Sequence, residues 1–97
     1  MADKNAIIDM LKNEISIMQT NLDKMRVQAK MAEMEARDRL QPEIEQLEKR
    51  IQETRARLDD LTHVSQEAFD EARKGVEGAV NELKKGFENT LDRLKSR

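Results

Sequence analysis

The sequence predicts an all-α protein: one long amphipathic helix, or two nearly collinear helices bent at Pro42, completed by coiled-coil association into a homo-oligomer. Three observations carry this. Apolar residues recur at alternating steps of four and three through the first two thirds of the chain. The last forty residues repeat every eleven. Charged residues make up 39% of the 97 residues and aromatics 2%, with one Pro and three Gly, a composition typical of long or coiled helices. Two Phe rings do not anchor a large core, and a chain this short is marginal alone, so a partner helix is expected.

The first helix opens near Asp3 or Asn5, whose short side chains suit an N-cap. Its seam is Ile8, Leu11, Ile15, Met18, Leu22, Met25, Ala29, Ala32 and Ala36. The seam thins from Ile and Leu to Met and then to Ala, which lets helices approach closely. At 36–44 the steps become four and four, a stutter that shifts the stripe around the helix. Pro42 lies inside it. A proline inside a helix loses a hydrogen bond and clashes with the preceding turn, yet it also suits the first residue of a new helix. A tight reversal favours Gly, Asn, Asp or Ser, and the residues around Pro42 include none of them, so a bent continuous helix is expected there. The seam resumes as Ile44, Leu47, Ile51, Thr54, Leu58 and Leu61, flanked by Glu45 with Lys49 and Glu53 with Arg57 at helical ion-pair spacing.

A second possible break falls at residues 62–65. Ser65 suits an N-cap there, with Val64 and Phe69 able to staple the first turn. The stripe stays in phase through Ser65 and Ala68, so continuity is expected here too. An antiparallel hairpin folded near Pro42 or Ser65 is the alternative. The organisation expected is therefore a heptad segment over 1–61 and an 11-residue-repeat helix over 62–97.

In the repeat, Leu58, Phe69, Val80 and Leu91 share one column, and Leu61, Ala72, Leu83 and Leu94 share the column three later. Val76 and Phe87 fall in register as well, as do Gly75 and Gly86. Eleven residues make three turns at about 3.67 residues per turn, so the apolar columns stay aligned along a straight or slightly right-handed path. Glycine weakens a helix by about 1 kcal/mol relative to Ala, so this segment is expected to order by contact. The predicted self-association stripe is thus Leu11, Ile15, Met18, Leu22, Met25, Ile44, Leu47, Ile51, Leu58, Leu61, Phe69, Ala72, Val76, Val80, Leu83, Phe87, Leu91 and Leu94.

Composition also bounds function. Twenty acids and eighteen bases give a net charge of −2, with the signs mixed along the chain. That leaves no basic footprint for nucleic acid. There is no Cys, hence no disulfide frame or thiol chemistry. One His and no Gly-rich loop after a strand offer no nucleophile–base pair, so no enzyme and no cofactor are expected. Asp59, His63 and Glu67 stack on one face if the helix is continuous, a spacing that can hold a divalent metal. With Leu58 and Leu61 on the seam, however, His63 points to solvent, and an exposed histidine is the plainer reading. No apolar run approaches the roughly 20 residues of a membrane span, and the start lacks a secretory apolar region, so a cytoplasmic location is expected.

The residues Leu58-Asp59-Asp60-Leu61, Ser65-Gln66-Glu67-Ala68-Phe69, Lys74-Gly75-Val76, Ala79-Val80, Leu83-Lys84 and Gly86-Phe87 are similar to the tail of small bacterial coiled-coil proteins of largely unknown, partly stress-associated function. The alanines of 29–36 and the heptads of 44–61 resemble their layout. Those proteins commonly carry Trp where this chain has Phe69 and Val80, and Pro42 departs from their uninterrupted helix. The 11-residue repeats resemble those of late-embryogenesis-abundant proteins and exchangeable apolipoproteins, which implies an amphipathic helix that folds on contact. The acidic coiled-coil style is also similar to magnetosome-associated proteins, which implies contact with an iron-mineral surface. The function expected is a non-enzymatic structural or interaction protein that self-associates and presents a charged outer face to a partner or surface. A membrane-surface or stress-protectant helix is the alternative, and a mineral-binding coiled coil a weaker one.

Overall fold

A computed structural model describes residues 3–95, with the side chains of 94 and 95 outside the description. The described residues form three helices, α1 (Lys4–Met31), α2 (Met34–Leu61) and α3 (Gln66–Lys95). They fold back on one another into a rod of 51 × 20 × 16 Å. At 1.5 Å per residue, a 28-residue helix is about 42 Å long, so each helix runs most of the length of the rod. α2 is antiparallel to both neighbours, and α1 and α3 run the same way. α1 and α3 touch each other less extensively than either touches α2.

The expectation of one long helix, or two collinear ones bent at Pro42, is corrected by this fold. The chain reverses at Ala32 and Glu33, where no turn was expected, and again over residues 62–65. The first reversal needs no special residue. Ala32 (φ −79°, ψ 161°) and Glu33 (φ −60°, ψ 154°) are both extended, a conformation open to any L-residue. Two extended residues suffice to join antiparallel helices. The Ala32 N–H donates to the Ala29 carbonyl, and the Arg37 N–H donates to the Glu33 carbonyl to begin α2. The Arg37 guanidinium reaches back to the Lys30 and Ala32 carbonyls, each at 3.4 Å. It thereby places a cation at the C-terminus of α1, where the helix dipole favours one. The turn falls where the seam has thinned to alanine, so Ala29 and Ala36 are both buried while the two backbones converge.

Pro42 is the ninth residue of an unbroken α2, and it is exposed. It lies opposite the buried line of Ala36, Leu40, Ile44, Leu47, Ile51, Thr54, Leu58 and Leu61. The Asp38 carbonyl, which loses its helical donor to the proline, therefore lies on the water side, where solvent can replace the missing bond.

The second reversal follows its local signals. The Thr62 hydroxyl donates to the Asp59 carbonyl at 2.6 Å as α2 closes. The Ala68 N–H donates to the Ser65 Oγ at 3.4 Å, which makes Ser65 the N-cap of α3. Val64 packs against the core that includes Phe69. The Lys4 ammonium donates to the Val64 carbonyl at 2.8 Å and sits 5.5 Å from the centre of the Phe69 ring. The first residues of α1 thus clamp the α2–α3 turn. The first 11-residue block, 58–68, spans this turn, so the repeat is continuous in sequence and folded in space.

The interior is one cluster running from Ile7 to Phe87, with Val64, Ala72 and Leu91 packed at its margin. The buried hydroxyls of Thr54 and Thr90 are satisfied by the carbonyls of Arg50 (2.7 Å) and Gly86 (3.0 Å). Ion pairs fix the register at three levels: Arg26 with Glu48, Glu14 with Lys84 at 3.0 Å, and Glu43 with Arg93. Gly86 marks a close approach of α3 to α2, since a Cβ there would lie 3.1 Å from Leu47 Cδ2. At Gly75 and Gly78 a Cβ would meet nothing within 4 Å. Gly75→Ala and Gly78→Ala should each raise stability by about 0.5–1 kcal/mol, whereas Gly86→Ala should bring little or no gain. Chemical denaturation of the three variants checks the contrast.

Candidate interaction surface

The side chains predicted to pair with another chain form the interior of this one. Leu11, Ile15, Met18, Leu22 and Met25 of α1 are buried, as are Ile44, Leu47, Ile51, Leu58 and Leu61 of α2 and Phe69, Val76, Val80, Leu83 and Phe87 of α3. Ala72 and Leu91 are partly buried against them, and the Leu94 side chain lies outside the described residues. Three stripes facing one axis satisfy each other, so the amphipathic pattern reads equally well as an internal core and as an interface.

Asp59, His63 and Glu67 do not share a helical face. That grouping requires an unbroken helix, and α2 ends at Leu61. Asp59 belongs to α2, His63 to the turn and Glu67 to the first turn of α3, and all three are exposed. Among the described residues, no group of three His, Cys, Asp or Glu is placed to hold a metal ion. No helix among them is long and apolar enough to cross a membrane.

Two open grooves between α1 and α2 differ in character. One, of about 420 Å³, lies between α1 and α2 near the first turn, with Ala29 and Ile44 at its floor and Arg26, Lys30 and Arg37 at its rim. Arg26 is engaged by Glu48 and Arg37 by backbone carbonyls, so two of these three cations serve the fold. The other, of about 300 Å³, lies between Lys12 and Ser16 of α1 and Arg55 and Asp59 of α2. Neither groove contains a histidine.

The solvent-facing surfaces of the helices are unlike one another. Those of α2 and α3 are densely charged, with Arg39, Glu45, Lys49, Glu53 and Arg57 on the first and Glu71, Lys74, Glu82, Lys85 and Glu88 on the second, all exposed. Among the described residues, the exposed large apolar side chains are Met10 (57%), Ile17 (61%), Val27 (58%), Met31 (82%) and Met34 (72%). Four belong to α1 and the fifth opens α2 directly after the turn. Their concentration on α1, with Met34 directly after its turn, makes this helix the candidate interaction surface.

These residues follow a rule. Ala6, Met10, Asn13, Ile17, Thr20, Lys24, Val27 and Met31 are spaced by alternating fours and threes, and every one is exposed. They form a second heptad line on α1, turned away from the buried line that begins at Ile8. The signal was present in the sequence but diluted, because Asn13, Thr20 and Lys24 interrupt the apolar positions. The richer line through Leu11 and Leu22 dominated the pattern. Ile17 also borders a groove of about 290 Å³ between α1 and α3, in which Phe87 and Leu91 take part.

No family model matches the chain, and no curated protein or solved structure matches it.

Proposed function

We propose that the protein is a non-enzymatic interaction protein whose working unit is a self-associating three-helix fold. The outer side of α1 makes the association, and the charged faces of α2 and α3 are turned outward to a partner or surface. The observation that carries this reading is the confinement, among the described residues, of the large exposed apolar side chains to α1 and the residue after its turn, Met34. A helix needed only for its own core has no use for a second apolar line. The three inward stripes are already matched within the chain, so association adds to a folded unit.

A lipid-surface role is supported by one observation, the grouping of Val27, Met31 and Met34 at the end of the rod that carries the first turn. Lipid insertion of the α3 repeat, by contrast, would have to expose Val76, Val80, Leu83 and Phe87, which the bundle already buries.

Light scattering across a wide concentration range, with circular dichroism in the presence and absence of anionic vesicles, tests both. Self-association predicts a mass that rises with concentration and a helicity unchanged by vesicles. A mass fixed at the 11.3 kDa of one chain sinks it. Vesicle-dependent helicity or co-flotation favours the lipid role.

A further inference from the structure

The exposed line on α1 has a property beyond being apolar: reversed, it matches itself. We infer that it is the contact between two copies of this chain, packed antiparallel through α1 in one register. This rests on the self-association proposed above and identifies its surface and orientation. When two such helices run in opposite directions with positions paired so that their numbers sum to 37, every member of the line meets another member. Ala6 faces Met31, Met10 faces Val27, Asn13 faces Lys24 and Ile17 faces Thr20, each pair occurring twice by two-fold symmetry. Apolar positions meet apolar ones at the two ends, and the polar positions Asn13 and Lys24 meet each other. A parallel arrangement in register sets Lys24 against its own copy, a like-charge contact, and sets Asn13 against Asn13.

The surroundings favour the same occupant. Lys24 is the one charged member of the line, so a second α1 arrives without a row of charges to desolvate. Among the described residues, the outer faces of α2 and α3 carry charges along their length and offer no comparable line. The line extends over roughly 38 Å of helix, nearly all of α1. Because Ile17 also borders the groove between α1 and α3, a helix laid along the line covers the edge of that groove beside Phe87 and Leu91. The Glu14–Lys84 ion pair then lies at the rim of the contact. The Asn13–Lys24 polar pair within the contact also serves to specify register.

The chain has no cysteine, so introduced thiols report the orientation directly. Met10→Cys and Val27→Cys chains are prepared separately, then incubated alone and mixed in a glutathione redox buffer. The antiparallel register predicts covalent dimers chiefly in the mixture, containing one chain of each kind. Met10→Cys chains that crosslink among themselves as readily as in the mixture would overturn the orientation. Wild-type chains that dimerise while the mixture stays uncrosslinked would overturn the surface and leave self-association standing. A wild type that remains monomeric would overturn both. Ile17→Lys provides a second arm, read by sedimentation after circular dichroism has verified unchanged helicity. Its expected effect is about a hundredfold weaker dimerisation, since each dimer loses two centrally placed Ile side chains, and an unchanged dimer would again overturn the surface.

Discussion

Leu22→Ala should remove roughly 3–4 kcal/mol of stability, the range found when a fully buried leucine is truncated and its surroundings only partly collapse. Leu22 is 0% exposed, as is Ile51, and Leu83 is 1% exposed. The Arg26–Glu48 pair and the approach of Gly86 to Leu47 set the register of the three helices. The Arg26–Glu48 register sets Leu22 of α1 opposite Ile51 of α2, so a cavity at Leu22 opens the packing between these two helices. A chain of this length has a total stability on the order of 5–15 kcal/mol, so the variant should unfold near the lower end of a urea titration, with its melting temperature down by 10 °C or more. Ile17→Ala on the same helix provides the contrast. At dilutions where the chain is monomeric, it should change stability by no more than about 0.5 kcal/mol, because Ile17 is 61% exposed. Equal losses for the two variants would mean that α1 does not present the face assigned to it.

Pro42→Ala should act in the opposite direction and stabilise the protein by about 2 kcal/mol. Proline in the interior of a helix costs about 3 kcal/mol through the missing N–H and the ring's clash with the preceding turn. Part of that cost is offset because proline restricts the unfolded chain, an effect of about 0.4–1 kcal/mol that alanine gives up. Since Pro42 is exposed and lies in the ninth position of α2, alanine meets no packing obstacle and restores a donor to the Asp38 carbonyl. The sign of the effect is diagnostic. Were Pro42 the first residue of a helix or part of a turn, its fixed φ would be an asset, and the alanine variant would be neutral or less stable. The urea midpoint of the two proteins distinguishes these cases.

The helical class was legible because period is a strong signal. The line through Leu11, Ile15, Met18 and Leu22 and the columns through Phe69, Val80 and Leu83 require helix, and those side chains are buried as the pattern demands. Ser65 was legible as a possible cap, since a hydroxyl three residues before the Ala68 N–H is a local device, but the in-phase stripe favoured a continuous helix there and the break at 62–65 corrects that. The first turn was not legible. Ala32 and Glu33 carry no turn chemistry, and extended backbone is open to any residue, so nothing local distinguishes them from the helix on either side. What selects that point is tertiary: only a reversal there lets the α1 and α2 stripes face each other over most of their length. Pro42 sits, as expected, inside a continuous helix. Its local cost is real, but the burial of Leu40, Ile44 and Leu47 on the opposite face outweighs it. The metal grouping of Asp59, His63 and Glu67 failed with the helix it assumed. The outer line of α1 was visible in the numbering all along, yet it gains meaning only once the stronger line is known to be used internally.

The distance between two spin labels tests the fold most directly. Asn5→Cys and Gln66→Cys place labels on exposed positions beside Lys4 and Val64, which are joined by a hydrogen bond of 2.8 Å. The doubly labelled chain is diluted into excess unlabelled protein so that only distances within one chain are read. A chain folded back at residues 32–33 and 62–65 predicts a single narrow distribution centred below about 30 Å, whereas a continuous helix at 1.5 Å per residue would separate the labels by about 90 Å. A distribution at that longer distance would contradict the three-helix fold, and with it the division of α1 into a buried line and a free one.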